Sequence, residues 1–296
     1  MALTGISAAT PSIRALARKH GIDVDELALE LQQDRVSEAD VLRKVNGGSA
    51  PSSSSGYWDV DHTQYGPGEA VPMSRFAQLA AANLTASQQH IPAVTHHDKV
   101  CMDAVESFRK TLADEAAKRG IKVTAMVFHI IALTKALQMF PTFNASLKPG
   151  GKELWVKHYC DIGIAVDTPH GLMVPVLRGA DRKSIWEIAK QLSDLAKRAQ
   201  DRKVKPEEMG GASTSISNLG GIGGYAFSPI VNPPEVAILG LSRAAYEPVW
   251  NGTDFAPRLM CPISLSYDHR VINGAEAARF CAHYATLLND PRRLLL

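Results

Sequence analysis

Between residues 8 and 45, apolar side chains recur at helical spacing. Thr10-Pro11-Ser12 puts a capping residue ahead of a proline, the order that opens a helix, and Ile13, Leu16 and Ala17 then give it one apolar face. Gly21 stops it. Val24, Leu27 and Leu29 continue the pattern, and Ser37-Glu38-Ala39-Asp40 opens a last short helix carrying Val41 and Leu42. A unit of about forty residues lies at the margin of independent folding. Residues 46–71 lose the pattern. Gly47-Gly48-Ser49-Ala50-Pro51, four serines and a polar stretch with Pro67 and Gly68 bury too little apolar surface to order themselves, which predicts a flexible tether.

From residue 72 to 296 the periodicity alternates between helix and strand, which predicts one mixed α/β domain. Arg75 to Gln89 predicts a helix, Ala93 to Lys99 a strand, and Met102 to Arg119 an amphipathic helix closed by Gly120. Thr124 to Met139 is apolar all round and predicts a buried helix. Strands are expected at Leu154–Tyr159, Asp161–Val166, Leu172–Leu177, Ser213–Ser217, Val236–Leu241 and Arg258–Tyr267, with a charged-faced helix over Ile185–Ala199. Gly274-Ala275-Glu276-Ala277-Ala278-Arg279-Phe280 opens a last helix.

Composition narrows the function classes. The 296 residues are 45% hydrophobic and 21% charged, ordinary for a globular protein, and the net charge of +2 gives no bulk electrostatic case for nucleic acid or an anionic membrane. No apolar run approaches the roughly 20 residues of a membrane span. Met1 to Arg14 has no secretory pattern, and the four cysteines (Cys101, Cys160, Cys261, Cys281) form no CxxC pair. These features predict reduced thiols and a cytoplasmic protein. His96-His97 lacks companions at ligand spacing, so no metal is expected.

Candidate chemistry sits at element ends. His269 follows an alternating apolar run and precedes a helix start, with Asp268 and Arg270 on either side. A histidine at such a junction is a candidate base or a structural histidine. Thr214-Ser215-Ile216-Ser217-Asn218-Leu219-Gly220-Gly221 runs a hydroxyl-bearing strand into a glycine-rich turn that lets backbone approach a ligand closely, and it lacks the Lys-Ser/Thr of a phosphate loop.

Four blocks occur in order: Phe143-Asn144-Ala145-Ser146-Leu147, Ile162 to Val176 around Asp167-Thr168-Pro169-His170-Gly171, Ile216 to Gly221 continuing through Pro229 to Gly240, and Asp268-His269-Arg270-Val271-Ile272-Asn273-Gly274. This series resembles the dihydrolipoamide acyltransferases, the core subunits of 2-oxoacid dehydrogenase complexes. Pro92-Ala93-Val94-Thr95-His96 and Glu247-Pro248-Val249-Trp250-Asn251-Gly252 are similar to the bacterial pyruvate-complex group. The resemblance implies a chloramphenicol acetyltransferase-like mixed sheet with flanking helices over 72–296. It implies transfer of an acyl group, acetyl by similarity, between coenzyme A and a dihydrolipoyl thiol, directly from thioester to thiol. His269 would be the general base, Ser217 the donor to the tetrahedral oxyanion, and Asn273 the residue that orients the turn, where most members carry aspartate. Asp167 would line the channel, and Asn144 and Arg109 would lie near coenzyme A. The family forms homotrimers with each site between neighbours, histidine from one chain and serine from the next, and trimers often build a cube. The Leu294-Leu295-Leu296 tail suits such contacts or packing within one trimer.

Residues 8–45 resemble the family's all-helical peripheral subunit-binding domain. Arg14 and Arg18 match its partner-contacting positions, and the expected partners are decarboxylase or dihydrolipoamide dehydrogenase subunits. Ala28 to Arg35 replaces the usual glycine-rich loop, which implies a more helical connection and a changed binding surface. No lipoyl domain precedes this unit in the sequence, so either the sequence is part of a longer chain or the thiol is expected in trans, from a lipoyl carrier, free dihydrolipoamide or another thiol; Asp98-Lys99-Val100 is expected to be a strand and not a lipoylated hairpin. A non-catalytic scaffold and an acyltransferase to a non-lipoyl acceptor are the alternative functions.

Overall fold

The computed structural model describes residues 9–31, 36–45, 60–169 and 171–295. Residues 32–35 of the altered connection, 46–59 of the expected tether, His170 and Leu296 lie outside them. The chain divides into two units, Met1–Pro72 and Met73–Leu296.

The first unit contains α1 (Pro11–Lys19), α2 (Val24–Leu31) and α3 (Glu38–Val45). Thr10 is extended at the N-cap, but its Oγ1 bonds Ser12 Oγ at 2.9 Å and no helix N–H. Gly21, at φ +70°, turns the chain out of α1 as an L side chain could not cheaply do. Asp23 Oδ1 then accepts from Asp25 N at 2.7 Å and starts α2. Ala17, Val24, Leu27, Ala28, Val36 and Val41 form its core.

The second unit is built on β9 (Phe255–Asp268), which pairs antiparallel with β1 (Ala93–Cys101), β7 (Ala237–Leu241) and β8 (Ala245–Trp250). Beyond β7 the order continues through β6 (Thr214–Asn218), β4 (Ile162–Ala165) and β5 (Val176–Leu177). β4, β6 and β7 are mutually parallel, so their C-terminal ends lie at the end of the sheet where β9 is still arriving. A separate hairpin joins β2 (Ala145–Leu147) and β3 (Leu154–Val156). The helices are α4 (Arg75–His90), α5 (Asp103–Thr111), α6 (Ala113–Lys118), α7 (Ala125–Met139), α8 (Ile185–Gln200) and α9 (Gly274–Asn289). This is the expected mixed sheet with flanking helices.

Several boundaries differ from the sequence expectation. The single helix over 102–119 breaks at Leu112, where Thr111 Oγ1 donates to Phe108 O at 2.7 Å and competes with the helical ladder. The strand expected over 172–177 shrinks to Val176–Leu177, because Pro175 has no N–H for a ladder. β8 was not expected as a strand. Its signal was the Asn251-Gly252 turn: Asn251 Oδ1 accepts from Thr253 N and Asp254 N, and Gly252 adopts φ +103°. Leu294 belongs to the core of its own chain, while Leu295 is exposed.

The sheet has two unlike faces. One carries Ile216, Leu239, Leu241, Ile263, Leu265 and Tyr267 in one apolar core with residues of α7 and α9. α7 is buried on nearly all sides, as its composition predicts. Its one imidazole, His129, shares a 2.6 Å hydrogen bond with Tyr284 OH, and burial pushes its pKa down to about 4. The other face is lined with small polar residues in register. His97, Ser264, Gly240, Ser217 and Ala165 form one row across five strands, and Thr95, Ser266, Ile238, Ser215 and Gly163 form the next. His97 Nδ1 and Ser264 Oγ are 2.9 Å apart, and Thr95 Oγ1 and Ser266 Oγ 2.8 Å. Gly240 is bare because the Phe227 ring lies on it: a Cβ there would meet Phe227 Cζ at 2.7 Å and Ser264 O at 3.2 Å.

Glu235 is buried beside this face. It accepts from Ser215 Oγ at 2.9 Å and Asn232 Nδ2 at 3.2 Å, while its Oε2 has no partner among the described residues. Burial pushes its pKa up to about 7. The buried Lys157 donates to Ala212 O at 2.9 Å, and burial lowers its pKa.

Two predictions follow, one from the buried Glu235 and one from the close contact of Phe227 on Gly240. Native Glu235 favours its neutral form, so its stabilisation is full below the unfolded carboxylate range and is lost as pH rises through about 7, a change of about 3 kcal/mol. His129 acts oppositely: its neutral form is favoured, and stability is lost as pH falls from 6.5 through about 4. Denaturant midpoints at pH 5 and pH 8 should therefore show Glu235→Gln gaining relative to wild type at the higher pH. A constant difference between the two proteins would refute the assignment. In the second case, Gly240→Ala should cost about 1–3 kcal/mol by overpacking, and Phe227→Leu in the same chain should recover part of it.

Candidate functional site

His269 is the first residue beyond β9. Its N–H donates to Pro92 O at 3.1 Å, which ties the turn to the start of β1. The buried Asp268 sets the turn's shape. Its carboxylate accepts from Arg270 N at 3.0 Å, Arg270 Nε at 2.9 Å and Arg270 Nη2 at 2.6 Å, and its carbonyl accepts from Val271 N and Ile272 N. The pairing with Asp268 also raises the Arg270 pKa. The flanking charges therefore bond to each other across the histidine. The His269 imidazole is exposed, lies 5.8 Å from the Tyr267 ring, and has no hydrogen-bond partner among the described residues. It is fixed through its backbone and open at its nitrogens.

Asn273 is the N-cap of α9, with Oδ1 accepting from Glu276 N at 2.9 Å. Asparagine and aspartate cap helices about equally well, so an aspartate-to-asparagine change here keeps this function. The side chain orients the turn by starting the helix that follows it.

Ser217 is half-buried near the end of β6, on the small-residue face. The backbone after it is held by Leu219 N donating to Leu241 O at 2.9 Å. The exposed Asp167 follows β4 on the neighbouring strand, two residues past Ala165, the register partner of Ser217. Ladder spacing puts the two roughly 8 Å apart. On the core side of the same end of β6, a cavity of about 270 Å³ is lined by Asn218, Gly220, Ser242, Arg243, Glu106 and Met126 among others. Ser242 Oγ is buried there without a partner among the described residues.

Within one chain the His269 imidazole and the Ser217 hydroxyl do not meet. Ser217 shares a row with Ser264 through Gly240, and His269 lies five residues beyond Ser264 at the opposite end of the sheet. Five residues along β9 and two strands across give a separation of roughly 19 Å.

The other sequence candidates lie elsewhere. Asn144 is buried, and its Nδ2 donates to Lys157 O at 3.2 Å and Tyr159 O at 2.8 Å, so it clips the β2–β3 hairpin and offers a ligand no free donor. The Arg109 guanidinium is taken up by Glu106, with Nη2 2.7 Å from Oε2, and a phosphate would have to compete for it. Arg14 and Arg18 lie on α1 in the first unit, with Arg14 Nη1 3.9 Å from Asp25 Oδ2. Lys99 is in β1 and pairs with Glu247 at 2.7 Å. Among the described residues no cluster of histidine, cysteine or acidic side chains could hold a metal ion, and no helix is long and apolar enough to cross a membrane. Sequence reasoning missed Glu235. Its signal was an acid set directly before the apolar run Val236–Leu241.

Comparison with known proteins gives a consistent result. Residues 65–296 match the 2-oxoacid dehydrogenases acyltransferase (catalytic domain) family. The chain is 45% identical to the dihydrolipoyllysine-residue acetyltransferase component of the pyruvate dehydrogenase complex of Cupriavidus necator, over 99% of this chain and 56% of that protein. The Pseudomonas aeruginosa counterpart is 44% identical over 97% of this chain and 55% of its own length. The chain thus spans about half the length of these curated relatives. The solved dihydrolipoamide acetyltransferase of Azotobacter vinelandii superposes with a TM-score of 0.79 at 48% identity, covering 80% of this chain and 98% of that one. A truncated 2-oxoacid dehydrogenase catalytic core from Thermoplasma acidophilum superposes at 0.69 with 34% identity, covering 76% and 99%. With its sheet, its strand-end histidine and its serine-bearing β6 in place, the chain belongs to the 2-oxoacid dehydrogenase acyltransferase family.

Proposed function

We propose that this protein transfers an acetyl group between coenzyme A and a dihydrolipoyl thiol, at a site composed of His269 from one copy and Ser217 from another. The observation that carries this is the roughly 19 Å between the two residues within a chain, against the roughly 3 Å reach each needs to one reacting centre. The solved Azotobacter vinelandii enzyme was studied for the role of a serine, a histidine and an asparagine in its catalytic mechanism. Ser217, His269 and Asn273 repeat those residue types in the same order and at the same spacing. The structure of a related pyruvate dehydrogenase core is described as cubic, which supports assembly of several copies, and we propose a homotrimer as the unit within which the sites form.

The chemistry follows from what each group can do. A thiol of pKa near 8.5 is only a few per cent ionised at neutral pH. The free nitrogens of His269 let it take the thiol proton, which contributes about 10²- to 10⁴-fold. The thiolate sulfur bonds to the thioester carbonyl carbon, and the Ser217 hydroxyl donates to the oxyanion that forms. Collapse expels the second thiolate, which recovers the proton from the imidazolium. No bond to the enzyme forms. The cavity at the end of β6, with Arg243, Asn218 and the unpartnered Ser242 hydroxyl, suits the carrier arm of coenzyme A, and Asp167 lies on the acceptor side of Ser217. We assign residues 8–45 to docking of partner subunits through Arg14 and Arg18, and residues 46–71 to the tether.

The test is release of coenzyme A thiol from acetyl-CoA with free dihydrolipoamide as acceptor. His269→Ala should lower kcat by about 10²-fold or more, and Ser217→Ala by about 10²- to 10³-fold. Chains of the two variants, unfolded together and reassembled, should regain activity at roughly a quarter of sites, those that draw each intact residue from a different chain. An inactive wild type overturns the proposed reaction. Failure of the mixture to recover overturns the two-copy site.

A further inference from the structure

The loop that follows Ser217 has little to hold it. Gly220, Gly221, Gly223 and Gly224 offer no side chains, nothing would touch a Cβ at the last three, and the one side chain among them, Ile222, is 69% exposed. Ile222 N and Gly223 N both donate to Leu219 O at 2.9 Å, which forms a local turn without anchoring it to the sheet. The loop nevertheless crosses the small-residue face of the sheet from β6 to the far edge strand β1. Two contacts hold the stretch from Ile222 to Tyr225 there. On one side Arg243 Nη2 donates to Ile222 O at 2.8 Å. On the other, Gly224 at φ +89° turns Tyr225 outward, and Lys99 Nζ sits 5.1 Å from the centre of its ring. Lys99 is aimed by Glu247 on β8, whose Oε2 is 2.7 Å from Nζ. Past Tyr225 the chain turns back, and Phe227 lies on Gly240, the register partner of Ser217.

Tyr225 itself is 66% exposed, so packing does not explain where it stands. A cation over an aromatic face does. Lys99 is otherwise an unexplained choice: an ammonium group on β1, on the face shared with Ser264 and Ser266, paired to an acid on β8. The arrangement ties three elements, β1, β8 and the loop, at one point on the side of the loop away from Ser217.

We propose that Lys99, aimed by Glu247, is a positioning residue: by holding Tyr225 it fixes the glycine-rich loop and hence the placement of the Ser217 hydroxyl. This rests on Ser217 acting in acyl transfer as proposed above. The oxyanion is absent from the bound substrates and forms only as the thiolate adds, so a loosened loop lowers kcat and leaves KM for acetyl-CoA and for dihydrolipoamide unchanged.

The test uses the assembled protein. Amide hydrogen exchange at Ile222 and Gly223 should quicken about threefold in Lys99→Met and in Tyr225→Ala, the scale of an exposed cation–π contact, while β7 amides keep their wild-type protection. Lys99→Arg keeps the cation and should restore the wild-type exchange. In the acetyl-transfer assay Lys99→Met should lower kcat about two- to fivefold at constant KM. Unchanged exchange at Ile222 and Gly223, or equal loosening of β7, overturns the pin. Faster exchange with unchanged kcat overturns its role in placing Ser217. A wild type that transfers no acetyl group overturns the functional reading instead, and the exchange comparison still decides whether Lys99 holds the loop.

Discussion

Antiparallel pairing along β9 is the constraint on which the rest of this domain depends. Its fourteen residues serve β1 on one side and both β7 and β8 on the other, and each register pair forces side chains two residues apart onto the same face. A slip of one residue would exchange Ile263, Leu265 and Tyr267 with Ser264 and Ser266. That would put serines against α7 and α9 and apolar groups on the other face. The same register fixes the ends: because β9 runs against β6 and β7, its terminal histidine emerges where those strands begin, and Ser217 where they finish.

The two faces use different forces. On one, apolar side chains from the sheet and two helices exclude water, and even His129 is kept neutral there by burial. On the other, short hydroxyl side chains bond in pairs across strands and leave room for a loop to lie close, as Phe227 does on Gly240. The small residues of this second face are what a surface needs if another chain or a long flexible substrate is to approach the backbone. The buried Glu235 beside it accepts from the Ser215 hydroxyl and so helps hold β6 in place.

Much of this was legible in the sequence. The stop of α1 at Gly21 and the start of α9 at Gly274 were found near their true positions, because left-handed turns and helix starts are local chemistry. The blocks around Ser217 and His269 identified the family and the candidate groups. What the sequence withheld was long-range. Nothing local reveals that the Asn144 amide nitrogen is tied to backbone carbonyls of a neighbouring hairpin while its Oδ1 has no partner among the described residues. Arg109 looks like a free cation until Glu106 is seen curled onto it. β8 was overlooked because its alternation is interrupted by Pro248, and only its Asn-Gly turn announces it. The partners of Lys99 lie more than a hundred residues further along the chain, beyond any pattern that periodicity can reveal.

The distance between His269 and Ser217 also has a consequence in time. Under the proposed two-copy site, a chain that has just folded would own an imidazole and a hydroxyl that cannot reach a common atom, and it would be chemically silent toward thioesters. Reactivity would arrive only when copies meet. The step that switches the proposed chemistry on would then be assembly, which responds to how much of the protein is present.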